Sequence, residues 1–239
     1  MRKLFPYNEE VESLIHKAKK LFHLSMNGIA SEQMSSLGYK LNYGVSLPRI
    51  YEISKEFEGT QYSRQLAEYA WWSDCRELMI LATLLLDKDL SRSPFSKDDL
   101  FSWGENLFNI ELCEQFSRNF LSKIHTSVDL SATYSNALIT QRDSSNKFWI
   151  ALGYINYANL YLQRKSVNQS IESSIFEYVV KDVYADSYLI YNSVSRYLRS
   201  KCKVDKKWVN DFIQTLDPTK GKGVAKIIEE IQIELDYQE

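Results

Sequence analysis

The sequence predicts an all-α fold, an α-solenoid of paired helices, on three observations. The chain of 239 residues has only 8 glycines and 4 prolines, too few to punctuate a many-stranded sheet. Apolar residues recur in many windows at the three- and four-residue spacing of a buried helix face. Many of these windows are short and closely spaced, which suits stacked helix pairs better than a compact bundle. We expect one domain over residues 1–239.

We expect thirteen helices in order along the chain. Their predicted ranges are 8–24, 28–37, 47–58, 61–72, 74–88, 96–108, 110–123, 130–141, 146–163, 171–182, 187–201, 205–215 and 222–236. The weakest pattern lies in 171–191, because its β-branched and aromatic residues suit a strand as well as a helix. The helical context of the neighbouring segments decides for a helix there.

The clearest apolar stripes lie in the first, fifth and last predicted helices. They consist of Val11, Leu14, Ile15, Ala18, Leu21 and Phe22; of Cys75, Leu78, Met79, Ala82, Leu85 and Leu86; and of Val224, Ile227, Ile228, Ile231 and Leu235. Residues at these spacings share one side of a helix, so each stripe predicts a face that is buried against a neighbour.

Sequence signals mark several helix starts. Asp74 precedes Glu77, and Ser96 precedes Asp99, each at the spacing of a capping box. Pro48 suits a first helical turn, where its missing N–H has no intrahelical partner. We expect Trp103 and Trp149 to fill the core between helix pairs.

The first residues, the apolar runs and the cysteines indicate where in the cell the protein is located. The first residues, Arg2 and Lys3, are followed by too few apolar residues for a secretory signal. The longest apolar run, residues 78–86, is far short of the ~20 residues that span a bilayer. The three cysteines are far apart, and no pair has metal-ligand spacing. We therefore expect a cytoplasmic monomer with buried thiols, no membrane association, no metal and no cofactor.

Four segments in the first half of the chain can be compared with a known family. They are residues 25–28 (SMNG), 43–48 (YGVSLP), 66–73 (LAEYAWWS) and 76–82 (RELMILA). Together they resemble the opening repeats of the DNA alkylation repair family, the HEAT-like alkylpurine DNA glycosylases. The resemblance is strongest over residues 25–125 and implies HEAT-like repeats that enclose a concave groove for duplex DNA.

The resemblance also implies a chemistry. Enzymes of this family act on purines alkylated at N3 or N7, whose positive charge weakens the glycosidic bond. A carboxylate near the sugar stabilises the charge that develops as the base departs, and can position the attacking water. Two tryptophans flank that carboxylate, because indole faces attract cations. An arginine anchors a phosphate.

The family carboxylate and first tryptophan lie in a W-D-x-x-D motif. The segment here that resembles it is 109–114 (NIELCE), which places the carboxylate on Glu114 and the tryptophan on Ile110. Glu114 is therefore the candidate catalytic residue. A glutamate moves the charge by roughly an ångström relative to an aspartate, and such a shift can cost on the order of a hundredfold in rate.

The other two family positions carry changed side chains. The arginine belongs to a W-L-x-R motif, matched by residues 149–152 (WIAL), so its position falls on Leu152. The second tryptophan belongs to a later helix, matched by residues 194–199 (VSRYLR), and its position falls on Arg196. One carboxylate is retained, and whether glycosylase activity is retained with it stays open.

A local excess of positive charge points to nucleic acid, although the net charge of the chain is −2. Six of the twelve residues from 196 to 207 are basic and one is acidic. The candidate DNA-binding residues are Arg142, Lys147, Arg196, Arg199, Lys203, Lys206 and Lys207. Cations at the ends of stacked helices can follow a phosphate backbone without reading sequence. The alternative is a solvated helix terminus, where cations also complement the helix dipole.

Three hypotheses of function remain open. The chain is a DNA glycosylase that uses Glu114; or it is a non-catalytic relative that binds distorted or damaged duplex by its shape; or it is a HEAT-repeat scaffold for a protein partner. Excision of alkylated bases separates the first from the others. Binding of duplex DNA at modest salt separates the second from the third.

Overall fold

The described chain is all-α, which confirms the predicted fold class. The structure, a computed structural model, describes residues 6–124, 127–142 and 145–237. Within these ranges it contains fourteen α-helices and no β-strand, only an isolated bridge between Leu41 and Cys75. Contacts divide the chain into two compact units, Met1–Pro94 and Phe95–Glu239. The single repeat domain over residues 1–239 and its concave groove stay predictions.

Unit 1 (Met1–Pro94) contains the first five helices. They are α1 (Glu9–Leu24), α2 (Gly28–Gln33), α3 (Leu47–Ser54), α4 (Ser63–Trp71) and α5 (Arg76–Leu85). Predicted helices 28–37 and 47–58 each end early and continue as a short 3-10 turn. The core of the unit includes most residues of the two predicted stripes, among them Ile15, Phe22 and Leu78, all buried. The stripe residues Leu14 and Leu21 are only partly buried.

Unit 2 (Phe95–Glu239) contains the other nine helices of the described residues. They are α6 (Lys97–Gly104), α7 (Ile110–Asn119), α8 (Val128–Thr140), α9 (Phe148–Leu162), α10 (Gln169–Ser173), α11 (Phe176–Asp182), α12 (Tyr188–Lys201), α13 (Lys206–Ile213) and α14 (Val224–Asp236). Helix α9 lies at the centre and packs against α7, α8 and α12. Segment 171–182 is helical, as predicted, but is divided into α10 and α11.

One of the two predicted capping boxes is present. Ser96 and Asp99 exchange both hydrogen bonds of the box at the start of α6. The box predicted from Asp74 and Glu77 is wrong, because α5 begins after Cys75. The Glu77 carboxylate is fully buried and accepts the backbone N–H groups of Tyr43 and Val45, each at 3.1 Å. A buried carboxylate needs such partners, and a loop supplies them here in place of a helix start.

Candidate functional site

Helix α7 presents Glu114, the candidate catalytic residue, at the surface of unit 2. The helix begins after Asn109, whose side-chain oxygen accepts the backbone N–H of Leu112 at 2.9 Å. Its apolar face, which includes Leu112, Cys113 and Phe116, is fully buried. Glu114 points away from that face, and 34% of its side chain is exposed.

Glu114 forms an ion pair with Arg196 of α12. The Arg196 Nη1 donates to Glu114 Oε1 at 2.5 Å across 82 residues of sequence. The Arg196 side chain is 28% exposed, so both charges retain contact with water. The pair thus brings together the two residues at which the resemblance expects the carboxylate and the second tryptophan, with a guanidinium in place of an indole.

The other two family positions do not contribute polar groups. Leu152 lies fully buried in the middle of α9 and cannot contact a phosphate. Ile110 is partly buried at the first position of α7. Trp103 and Trp149 are both buried, which confirms that they fill the core of unit 2.

Three candidate DNA-binding residues lie on one face of α12 and the turn that follows it. Arg196, Arg199 and Lys203 line a cavity of about 280 Å³ together with two carboxylates of α14, Glu230 and Glu234. Arg199 lies 3.9 Å from Glu230, and Lys203 lies 4.0 Å from Glu234. We call this pair of opposed faces the α12–α14 charge layer. In this layer the carboxylates of α14 offset the positive charges of Arg199 and Lys203, which the sequence predicts to bind DNA.

The remaining candidate DNA-binding residues lie elsewhere in unit 2. Lys147 and Lys207 are exposed, at the starts of α9 and α13. Lys206, beside Lys207, is partly buried. Burial raises the pKa of the nearby Cys202 thiol, and the positive charge of Lys206 lowers that pKa slightly. Lys147 is not grouped with the α12–α14 charge layer. The seven residues therefore do not form one cluster.

Arg142 takes part in a network of polar contacts, although its side chain is 32% exposed. Its guanidinium donates to both carboxylate oxygens of Asp182, at 2.9 and 2.8 Å, and lies over the Tyr178 ring. The Tyr154 hydroxyl also donates to Asp182, at 2.7 Å. Since Asp182 is buried, this bidentate pair ties the turn after α8 to α11, and Arg142 therefore has a structural role.

Sequence reasoning missed a second polar cluster, on the opposite side of α12. The Glu172 Oε1 accepts hydrogen bonds from Tyr161, from Tyr197 at 2.7 Å and from Lys201 at 2.6 Å. Lys201 belongs to the basic run, yet its side chain is only 6% exposed. Tyr197 and Lys201 are four residues apart on α12 and share a face, but Glu172 lies in the segment with the weakest helical pattern.

The three cysteines are free and buried, as predicted. Burial raises the pKa of each thiol, to about 12 for Cys75 and about 11 for Cys202. Over the part of the chain that the structure describes, no group of three or more His, Cys, Asp or Glu side chains is placed to hold a metal ion. No helix among those residues is long and apolar enough to cross a membrane.

Comparison with known families agrees with the resemblance read from the sequence. A family model described as DNA alkylation repair enzyme matches residues 31–227. That match spans most of the chain, including both residues of the Glu114–Arg196 pair. No curated protein and no solved structure gives a significant match. The chain belongs to the DNA alkylation repair family.

Proposed function

We propose that this protein binds alkylated or distorted duplex DNA at the Glu114–Arg196 pair and excises purines alkylated at N3 or N7. Membership of the DNA alkylation repair family supports a role in DNA repair. The observation that carries the proposal is the 2.5 Å contact between the two side chains. It supports a site in which a carboxylate for the sugar and a guanidinium for a phosphate lie next to each other.

The pair can exchange partners when DNA arrives. Both side chains are about one-third exposed, and exposed ion pairs contribute only about 0–1 kcal/mol to stability. A phosphate offers the guanidinium an anion that it can bind in bidentate fashion. Arg196 would then take the phosphate-anchoring role that Leu152 cannot perform. Glu114 would be left with its full negative charge beside the sugar.

The proposed chemistry needs only this charge and water. The bond between the sugar C1′ and the purine nitrogen breaks, and its electron pair neutralises the cationic base. Glu114 stabilises the positive charge that develops on the sugar. The oxygen of a water molecule bonds to C1′, and the proton that this water loses passes to bulk solvent. No acid is required, because the base leaves as a neutral molecule.

A second candidate function has its own support. The positive residues of the α12–α14 charge layer face Glu230 and Glu234, and Arg196 faces Glu114. Such compensation lowers the attraction to a polyanion. It favours a HEAT-repeat scaffold that binds a protein partner. Loss of duplex binding at modest salt would select the protein scaffold.

Release of alkylated bases tests the proposal. Methylated duplex DNA is incubated with the wild-type protein, and released 7-methylguanine and 3-methyladenine are quantified by mass spectrometry. We expect release by the wild type and its loss in Glu114→Gln. The matched control is Glu177→Gln, which removes an exposed carboxylate from α11 of the same unit. Duplex binding without release would leave the non-catalytic alternative.

A further inference from the structure

A second cavity of unit 2 lies on the side of α12 away from the Glu114–Arg196 pair. It has a volume of about 590 Å³ and opens between the end of α9, the α10–α11 segment and the α12–α13 junction. Small-molecule sites commonly have volumes of roughly 300–1,000 Å³. The base-excision proposal does not use this cavity.

The floor of the cavity is a fixed polar cluster. Glu172 accepts hydrogen bonds from Lys201, Tyr161 and Tyr197, and the Lys201 ammonium lies 4.7 Å from the centre of the Trp208 ring. Burial, followed by the charge of Glu172, raises the pKa of both tyrosines, so their hydroxyls stay protonated. The floor charges compensate each other, and we expect the floor to orient a ligand rather than to attract it.

One wall of the cavity is aromatic and exposed. The Phe176 side chain is 44% exposed and lies edge to face against Trp208, with ring centres 5.7 Å apart. Phe212 stacks on Trp208 at 5.3 Å and fixes its ring. Val204, also exposed, lines the same cavity. An aromatic ring that remains exposed beside a rigid neighbour offers a flat surface for another ring.

Two adjacent cations, Arg164 and Lys165, also line the cavity. The Lys165 ammonium donates to the backbone oxygen of Ser122, not to a carboxylate. Burial, and then the positive charge of Lys123, lower the pKa of Lys165. An anion bound here would be stabilised, because it would reduce the repulsion between these neighbouring cations.

The backbone at Arg164 supports a role for its side chain. Arg164 follows the end of α9 with a φ of +54°, a left-handed conformation in which glycine is the usual residue. Its N–H donates to the carbonyl of Tyr161 at 2.8 Å, which closes the helix end. Glycine would satisfy this turn with less strain, yet arginine occupies it and lines the cavity. A strained non-glycine residue at a cavity is a common feature of functional sites.

We propose that this cavity binds a nucleotide, with the base against Phe176 and the phosphate at Arg164 and Lys165. The aromatic wall suits a flat ring, the paired cations suit a phosphate, and the Gln169 amide, which also lines the cavity, can bond a base edge. The nucleotide is either free or an unpaired residue of a DNA strand, since both present the same groups.

Titration calorimetry with dAMP tests this inference, with deoxyadenosine and single-stranded oligodeoxyadenylate as separate arms. The decisive variant is Arg164→Gly, which removes the guanidinium and relieves the backbone. We expect the affinity of this variant for dAMP to fall at least about tenfold, because a charge-assisted hydrogen bond to the phosphate is lost. Its melting temperature should not fall. Lys222→Gln removes an exposed cation outside the cavity and should bind like the wild type.

Each outcome of the titration decides the inference. Tighter binding of dAMP than of deoxyadenosine, weakened in Arg164→Gly alone, supports a free nucleotide as the ligand. Binding of the oligonucleotide but not of dAMP, again weakened in Arg164→Gly alone, supports a strand as the source. No binding in any arm, or equal effects of Arg164→Gly and Lys222→Gln, overturns the inference.

Discussion

Arg196 holds the candidate catalytic carboxylate of this chain, with its Nη1 at 2.5 Å from Glu114 Oε1. Glu114 and Arg196 occupy two positions at which the family resemblance expects a carboxylate and an indole. An indole beside a carboxylate leaves the negative charge intact, whereas a guanidinium neutralises it. The resting protein therefore keeps its candidate catalytic charge paired, and DNA must open the pair for the proposed chemistry.

A double-mutant cycle measures the coupling free energy between Glu114 and Arg196. The free energy of unfolding is determined for Glu114→Gln, Arg196→Gln and the double variant in urea. Because both side chains contact water, we expect a coupling of roughly 0.2–1 kcal/mol that declines as salt is added. A coupling above about 3 kcal/mol, the range of buried pairs, would contradict an exchange of partners with DNA.

Removing the carboxylates of the α12–α14 charge layer should strengthen DNA binding. In Glu230→Gln combined with Glu234→Gln, Arg199 and Lys203 lose their anionic partners and become available to phosphates. Each new phosphate contact steepens the dependence of log affinity on log salt by about 0.9, so we expect an increase of up to about 2. The measurement is fluorescence anisotropy of labelled duplex across a salt series.

The control for the charge layer is Glu229→Gln, which removes an exposed carboxylate from the same helix without a cation of α12 opposite it. We expect a salt dependence close to that of the wild type. If the double variant also keeps the wild-type salt dependence, Arg199 and Lys203 do not contact DNA, and the sequence-based assignment of these two residues is wrong.

Close packing of α9 against α8 makes Gly153 intolerant of a side chain. A Cβ at this position would lie 2.6 Å from the Ile139 Cγ1 and 2.8 Å from the backbone oxygen of Ser135. Since that oxygen belongs to the backbone of α8, we expect Gly153→Ala to lower the free energy of unfolding by about 1–3 kcal/mol. Chemical denaturation measures the change.

The matched substitution is Gly28→Ala at the start of α2, where a Cβ would meet no atom within 4 Å. It should be neutral or stabilising by up to about 1 kcal/mol. Equal effects of the two substitutions would contradict the close packing of α8 against α9 at Gly153.

Buried thiols make the fold sensitive to alkaline pH. Burial raises the pKa of Cys75 from 9.0 to about 12. The unfolded chain therefore loses its thiol proton first, and stability is full below pH 9 and falls as pH rises toward 12. The fall is up to about 1.4 kcal/mol per pH unit for one thiol.

Cys75→Ser, which cannot ionise in this range, isolates that contribution. Urea unfolding below and above pH 9 should give a smaller loss of stability for the variant than for the wild type. An identical loss in both proteins would mean that Cys75 is accessible to water in the folded state and is not responsible for the alkaline decline.

Local physics explains why the helices could be predicted. Stripes such as Val224, Ile227 and Ile231 form the buried face of α14, because a helix must bury its apolar side. Ser96 and Asp99 lie within one turn, so their reciprocal bonds could be read from spacing. Glu77 is not part of a capping box, because its hydrogen-bond partners lie in a loop more than thirty residues away, which local spacing does not reveal.

The contacts of the candidate site could not be predicted from the spacing of residues along the sequence, because they join distant segments. The resemblance placed Glu114 and Arg196 at positions of one site, but their ion pair spans 82 residues. The basic run indicated a phosphate-binding face, and the acidic residues of α14 that offset it belong to a different helix. Lys201, counted with that run, is buried beside Glu172 instead. Charge counted along a sequence does not show which charges meet in space.

Single-turnover excision kinetics on methylated duplex test the central claim, that Glu114 serves the sugar while Arg196 serves a phosphate. We predict that Glu114→Gln lowers the excision rate at saturating protein by about a hundredfold or more and leaves the half-saturating concentration unchanged. Arg196→Gln should raise the half-saturating concentration and leave the saturated rate close to that of the wild type. No excision by the wild type despite duplex binding, or a wild-type rate in Glu114→Gln, would contradict the claim.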